Sequence, residues 1–380
     1  MMDLGRSASR AWSCGLHRNP ESERLEPQVN QANETGFLVY DTFDTPGYSL
    51  TDYAEKWFTP NGVGEMAVNE SRDFSGSCLS IGAVPFQTTS DVDVNDHQKY
   101  MAVSSQEFSV PKNGTLVLSS EIKASTHGTV PDLVQYGVYG PSGSWLDPAD
   151  PTVTPGYSAR LLQGQQAAAV MNVLDFCTGQ GFDWFIASDT AFALIERLPS
   201  TVTGNVSNPD CPEATEVDID KMYTQIVREV SVKPDAWHHV DIALSRHAGE
   251  AWVDYFLDHE PIAHVANIGI PLDKQGASFT GTYPSLGPGE RLGEQLNSVR
   301  IGHGLFSLLD AFPFQHPGAL ELSVSIPAVT PPAPNDVGRT RLYGQGASGL
   351  FDNFTALTIL ESAAPVSPSE ILRVLAEKKS

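Results

Sequence analysis

From Phe37 to about residue 360 the chain runs in short alternating apolar and polar stretches, cut by Gly, Pro, Asn and Asp. That period belongs to β-strands rather than helices. In "GTLVLSSEIKAS", Leu116, Leu118, Ser120 and Ile122 share one face, and Val117, Ser119, Glu121 and Lys123 share the other. The spacing predicts a strand with one side on a core and one wet side. "SCLSIGAVPF", "AAAVMNVLDF" and "SVRIGHGLFSL" read the same way. "FDWFIASDTAFALIERLP" (Phe182 to Pro199) holds two apolar runs around Ser188-Asp189-Thr190 and predicts a hairpin. Ala236 to Val265 predicts a meander, with turns at Arg246-His247-Ala248-Gly249 and Leu257-Asp258-His259-Glu260.

The helical period appears once, at the end. In "SPSEILRVLAEKKS", Ser367 is placed as N-cap, Pro368 at the first helical position and Glu370 to close a capping box. Ile371, Leu372, Val374 and Leu375 give that helix one apolar side. The expected organisation is a polar tail or leader over 1–36, a β-domain over 37–362 and the helix within 363–380. Two Pro-rich stretches, "GTYPSLGPGERLG" and "IPAVTPPAPNDVG", predict long loops, which usually carry function or stay disordered.

Charge narrows the partners. The formal net charge is -23 with only 18% charged residues, and no Lys/Arg cluster stands out. Nucleic acid and anionic membranes need such clusters, so neither is expected. No apolar run is long enough to span a bilayer. Residues 1–27 lack the apolar centre of a signal peptide. Five N-x-S/T sequons, at Asn33, Asn69, Asn113, Asn205 and Asn353, nevertheless point to the secretory route, with the cytoplasm as the alternative. Of four cysteines, Cys177 and Cys211 are placed to clip the "STVTGNVSNPDCPEAT" loop to the sheet by a disulfide. Cys78 reads as a buried thiol and Cys14 as part of the tail, and there is no C-x-x-C pair.

Two segments carry a family likeness. "AWHHVDIALSRHAGEAWVDYFLDHEPI" resembles the W-H-x-V…Y-x-D-G hairpin of concanavalin A-like and laminin-G-like proteins, with Asp258-His259 where Asp-Gly is usual. "GLFDNFTALTIL" resembles their final strand, which pairs near the first, here "FLVYDTFD". The likeness spans roughly 37–360 and implies an all-β jelly-roll (concanavalin A-like) antiparallel β-sandwich, followed by the short C-terminal helix.

Motifs with chemistry are scarce. Retaining glycosidases of that fold carry E-x-D-x-x-E, and no such run is present. Glu216, Asp218 and Asp220 alternate onto one face but read as a solvated edge. "DVDVNDHQKY" (Asp91 to Tyr100) has Asp96 where an EF-hand loop needs Gly. No G-x-S-x-G elbow, dinucleotide fingerprint or P-loop occurs. His238 and His239 alternate across a strand and cannot share one ligand, so no metal is expected. What remains are "GFDWF" and "RIGHGLFSLLDAFPF", in which large rings surround a few polar heads. Such a mixture suits a pocket for an apolar small molecule, or plain core packing.

"FDWFIASDTAFALIERLP" together with "SVRIGHGLF" also resembles fungal hetero-Diels–Alderases of tropolone–sesquiterpene pathways. That resemblance implies a cofactor-free pocket orienting a tropolone quinone methide against a macrocyclic alkene. Arg300, His303, Tyr223 and Trp184 are the expected donors or acids, and Phe182, Phe185, Phe306 and Phe312 the walls. The partner expected is an apolar small molecule, and a homodimer is compatible with it. The rival expectation is a secreted carbohydrate-binding or carbohydrate-active sandwich, supported by the sequons and by ring-bearing loops such as "YGPSGSWLDP" (Tyr139 to Pro148). A non-catalytic scaffold is the third.

Overall fold

Alternation decides the architecture. The computed structural model describes residues 35–60, 66–88, 98–131, 134–136, 159–160, 162–212, 214–217, 221, 223–276, 288–308, 323–325, 342, 344–360 and 365–379. In chain order the strands are β1 (Thr35–Asp41), β2 (Trp57–Phe58), β3 (Ser71–Asp73), β4 (Leu79–Ala83), β5 (Gln98–Ser104), β6 (Phe108–Ser109), β7 (Gly114–His127), β8 (Val134–Tyr136), β9 (Ala159–Arg160) and β10 (Ala168–Asp175). They continue as β11 (Gln180–Ile186), β12 (Thr190–Arg197), β13 (Tyr223–Ser231), β14 (His238–His247), β15 (Glu250–Leu257), β16 (Glu260–Ala266), β17 (Ser298–Phe306), β18 (Ser323–Ser325) and β19 (Gly346–Leu360).

They pair antiparallel into two eight-stranded sheets and one small one. The first sheet runs β16-β15-β14-β7-β19-β4-β3, with β1 on β19. The second runs β13-β12-β11-β10-β17-β5-β2, with β6 on β17, and β18-β8-β9 form the third. The protein is therefore an all-β sandwich of the concanavalin A-like type. The last long strand pairs with the first, Phe37 opposite Leu357. The meander turns fall at Ala248-Gly249 and Asp258-His259, all four at positive φ, the geometry that matches the twist of a tight hairpin.

Between the sheets lies one apolar core. The first sheet contributes Leu116, Leu118, Val240 and Ile242, and the second contributes Met171, Val173, Trp184 and Ile195. The opposite face of β7 is drier than its alternation predicts. Val117 is fully buried, because the C-terminal helix (Pro368–Lys379) lays Ile371, Val374 and Leu375 over Val117, Ala243, Leu357 and Ile359. Glu121 and Lys123 remain half-buried on that face. The Ser367 hydroxyl accepts from the Glu370 amide (3.2 Å), which starts the helix.

Cys177 and Cys211 are bonded to one another. Cys78 is disulfide-bonded as well, which corrects its reading as a thiol. Asn205 is also corrected as a glycan acceptor. Its side chain is fully buried, and its amide nitrogen donates to the carbonyls of Cys177 (2.9 Å) and Thr215 (3.3 Å). Asn113 is exposed, whereas the Asn69 amide donates to Pro85 O (2.8 Å) and the Asn353 amide to Glu121 (3.1 Å). Cys14, Asn33, Asp91 to His97, Tyr139 to Pro148, Asp218, Asp220 and Phe312 lie outside the described residues.

Candidate functional site

The face of the second sheet turned away from the core carries the candidate chemistry. Its strands are in register, so its side chains fall into rows. One row runs Arg300, Leu174, Gly181, Glu196, Thr224. The next runs Gly302, Asn172, Asp183, Leu194, Ile226, and a third runs Gly304, Val170, Phe185, Phe192.

At the Arg300 end a cleft of about 400 Å³ opens. Phe58 stands at its side, 40% exposed, with the Arg300 guanidinium 5.4 Å from its ring centre. Arg300 Nη1 donates to the carbonyls of Ser104 (2.7 Å) and Ser105 (2.6 Å), and Nη2 to Glu107 Oε1 (2.9 Å). Those bonds fix the cation beside the ring. The disulfide, Thr203, Asn208 and Asp175 complete the wall.

Asp175 sits where β10 turns into β11. Its Oδ1 accepts from the amides of Cys177 (2.8 Å) and Thr178 (3.2 Å), while Oδ2 is buried without a partner. Burial pushes its pKa up to about 6 against those two amides. Between an unfolded pKa of about 3.9 and about 6 only the folded chain holds this proton, so stability falls as pH rises through that window. Asp175→Asn keeps the acceptor and removes the charge. It is expected to raise unfolding stability by about 3 kcal/mol at pH 8 and to leave it unchanged at pH 4. Urea melts at both values check this.

Behind Leu174 lies a buried acid pair. Asn172 Nδ2 donates to Asp183 Oδ1 (2.6 Å). Glu196 is the diagonal neighbour of Asp183, and its side chain folds over Gly181, where an added Cβ would lie 2.8 Å from Glu196 Cγ. Burial first, and the Glu196 charge second, hold the Asp183 carboxyl far above the usual carboxylate range. Asn172 Oδ1 and Thr224 Oγ1 beside the pair are buried without partners. Beyond them lies a second buried apolar cluster: Phe185 stacks on Phe192 at 4.7 Å and meets Phe306 edge-on at 5.7 Å.

The structure splits the residues expected to act together. Arg300 faces the cleft, whereas His303 points into the inter-sheet core and is fully buried. Positions 300 and 303 are an odd number apart on one strand, so they cannot share a face. His303 Nε2 bonds the Tyr53 hydroxyl (2.7 Å), which meets the Tyr100 hydroxyl (2.6 Å), and its ring lies edge-on to Trp57 at 4.5 Å. Burial, with the Arg72 charge behind it, pushes its pKa down to about 3. Trp184 also lies in the core, donating from Nε1 to the Asp241 carbonyl (3.1 Å). Tyr223 donates there to Gln180 Oε1 (2.8 Å), and Phe182 packs beside it. Of the expected walls among the described residues, Phe185 and Phe306 lie on the outer face. The space at Gly304 is used by protein: an added Cβ would meet the Tyr100 carbonyl and Phe306 Cε1, the latter at 2.6 Å. Sequence reasoning missed Phe58 and Asp175; it noted that the Phe182–Pro199 stretch brings Asp183 and Glu196 close together but gave them no role. Strand alternation could have found the last two, since Asp183, Phe185, Phe192 and Glu196 belong to one face of the predicted hairpin.

The concanavalin A-like sandwich fold thus carries a cleft on the outer face of its second sheet. The chain belongs to DUF6081, a family of unknown function, whose profile matches residues 161–358. Solved structures similar to it include an endo-1,3-beta-glucanase from Streptomyces sioyaensis, at 12% identity, 88% of this chain, 92% of that one and a TM-score of 0.33. Winged bean acidic lectin, complexed with methyl-alpha-D-galactose, is similar at 8% identity, over 87% and 100% of the two chains, with a TM-score of 0.31. The legume lectin-like domain from Entamoeba histolytica follows at 9% identity, over 71% and 98%, with a TM-score of 0.29. None of the curated proteins matches the chain.

Proposed function

We propose that the protein binds a carbohydrate in the Arg300 cleft. The observation that carries this reading is the composition of the cleft wall. An exposed Phe58 ring backed by Arg300 offers a stacking platform, and Asp175, Thr203 and Asn208 offer donors and acceptors around it. A sugar presents both apolar C–H faces and a rim of hydroxyls, which needs that mixture. Asp183 and Glu196 are buried and do not line the cleft, whose carboxyl groups are those of Glu107, Asp175 and Asp210. The exposed sequon at Asn113 and the Cys177–Cys211 bond support an oxidising, secretory location.

Phe58→Ala removes the platform at a partly exposed position and Arg300→Ala removes its backing. Each is expected to weaken retention on the recognised polysaccharide at least tenfold, or about 1.4 kcal/mol, in affinity electrophoresis. Unchanged retention of Phe58→Ala sinks the reading.

A second reading is favoured by one observation, the buried Asp183 on the same strand face as the ring cluster of Phe185, Phe192 and Phe306, with burial shifting its carboxyl towards the protonated form. A carboxyl shifted towards its protonated form among apolar rings suits proton donation to a lone oxygen of an otherwise apolar substrate, once the buried cluster opens to admit it. It is the form in which a cofactor-free cyclase, of the hetero-Diels–Alderase kind, fits this chain. It expects turnover of a tropolone quinone methide precursor with a macrocyclic alkene in the absence of any cofactor.

A further inference from the structure

We propose that His239, Asp241 and His259 form a binding site for a divalent transition metal, with zinc as the ion. The site lies on the outer face of the first sheet and is independent of the cleft. Donor atoms of the three side chains all fall within 4.8 Å of one another. His239 Nε2 and Asp241 Oδ1 are 2.8 Å apart. That contact is a hydrogen bond; two tetrahedral ligands of one zinc ion, each bonded at about 2.0–2.1 Å, stand roughly 3.4 Å apart, so the pair reaches chelate spacing by opening about 0.6 Å when the ion replaces the shared proton. Two imidazoles and a carboxylate favour zinc over calcium or magnesium, which prefer all-oxygen shells.

The third ligand is delivered by an unusual turn residue. His259 has φ 67° in the Asp258-His259 turn between β15 and β16. Glycine takes that left-handed conformation freely, whereas a side chain there is strained. Asp258 explains where the ring goes. Its carboxylate bonds the His239 amide (2.9 Å) and His238 Nδ1 (2.8 Å), which pins the turn against the start of β14. The His259 ring then lies over His239, with ring centres 4.7 Å apart. His259 is exposed, so a side-chain rotation closes the remaining gap to the ion. The Ser119 hydroxyl donates to Asp241 Oδ1 (2.5 Å) and orients the carboxylate, as outer-shell partners of metal ligands do. Bound zinc would tie the β15–β16 turn to the middle of the sheet.

The test uses the untagged full chain, freed of metal by a chelator and titrated with zinc chloride. Wild type should bind zinc in calorimetry, melt higher as zinc is added, and give the intense visible absorption of low-symmetry cobalt when Co²⁺ replaces zinc. His259→Gly removes the ligand while relieving the turn, so its metal-free melting temperature should match or exceed that of wild type. Its zinc affinity should fall at least tenfold. His259→Asn, which also tolerates the left-handed turn, should behave like the glycine variant. Equal zinc affinity in wild type and both variants, or no zinc response in wild type, overturns the proposal.

Discussion

His303→Phe should flatten the acid side of the stability profile. In the native protein burial and Arg72 hold the imidazole neutral down to about pH 3, against an ordinary histidine value of 6.5. In the unfolded chain it protonates freely. Below pH 6.5 the unfolded state therefore binds a proton that the native state refuses, and stability is lost as pH falls. The full window is worth about 5 kcal/mol, and the part between pH 7 and pH 4 about 3 kcal/mol. Asp175 acts in the opposite sense over about pH 4–6, but it is common to both proteins and cancels in the difference. Denaturant melts at pH 7 and pH 4 should show wild type losing about 3 kcal/mol more than His303→Phe. Parallel losses would mean that His303 is not held neutral. The consequence for function is direct: a ring that resists protonation until about pH 3 supplies no acid near neutrality.

Replacing Cys177 and Cys211 together by serine should cost about 4 kcal/mol by the chain-entropy account, because the bond closes a loop with a sequence separation of 34. That loop contains β11, β12 and most of the outer-face acids, so the unfolded chain regains much freedom when the bond is absent. Both cysteines also line the cleft. The double variant should thus melt lower and bind its ligand more weakly, and reduction of wild type should reproduce both effects. A variant as stable as wild type would show that the bond contributes little beyond the sheet pairing around it.

Legibility followed the range of the interactions. Strand period, turn residues and the Ser367 cap are written in neighbouring residues, and they suffice for the sandwich, the β1–β19 pairing and the C-terminal helix. The docking of that helix over Val117 depends on residues about 250 positions apart, and no local signal marks it. The site was misread for a simpler reason. Arg300 and His303, or Trp184 and Phe185, are close in sequence but odd in spacing, so a strand sends them to opposite faces. Applying alternation to side chains, as it was applied to elements, separates the core set from the outer set. Asp183 and Glu196 then emerge together, because a hairpin places them diagonally. Phe58 was beyond reach, since its role comes from the side-by-side placement of β2, β5 and β17.

The most direct test of the account is a thermal-shift comparison of the full chain and its Arg300→Ala variant. Both are screened against neutral oligosaccharides and against apolar tropolone and terpenoid compounds. A ligand selective for the native state raises the melting temperature by mass action. Carbohydrate recognition at the cleft predicts a rise for wild type with oligosaccharides, and a much smaller rise for Arg300→Ala at the same concentration. A rise with the apolar compounds alone, equal in both proteins, would contradict it and move the site to the ring cluster beside Asp183.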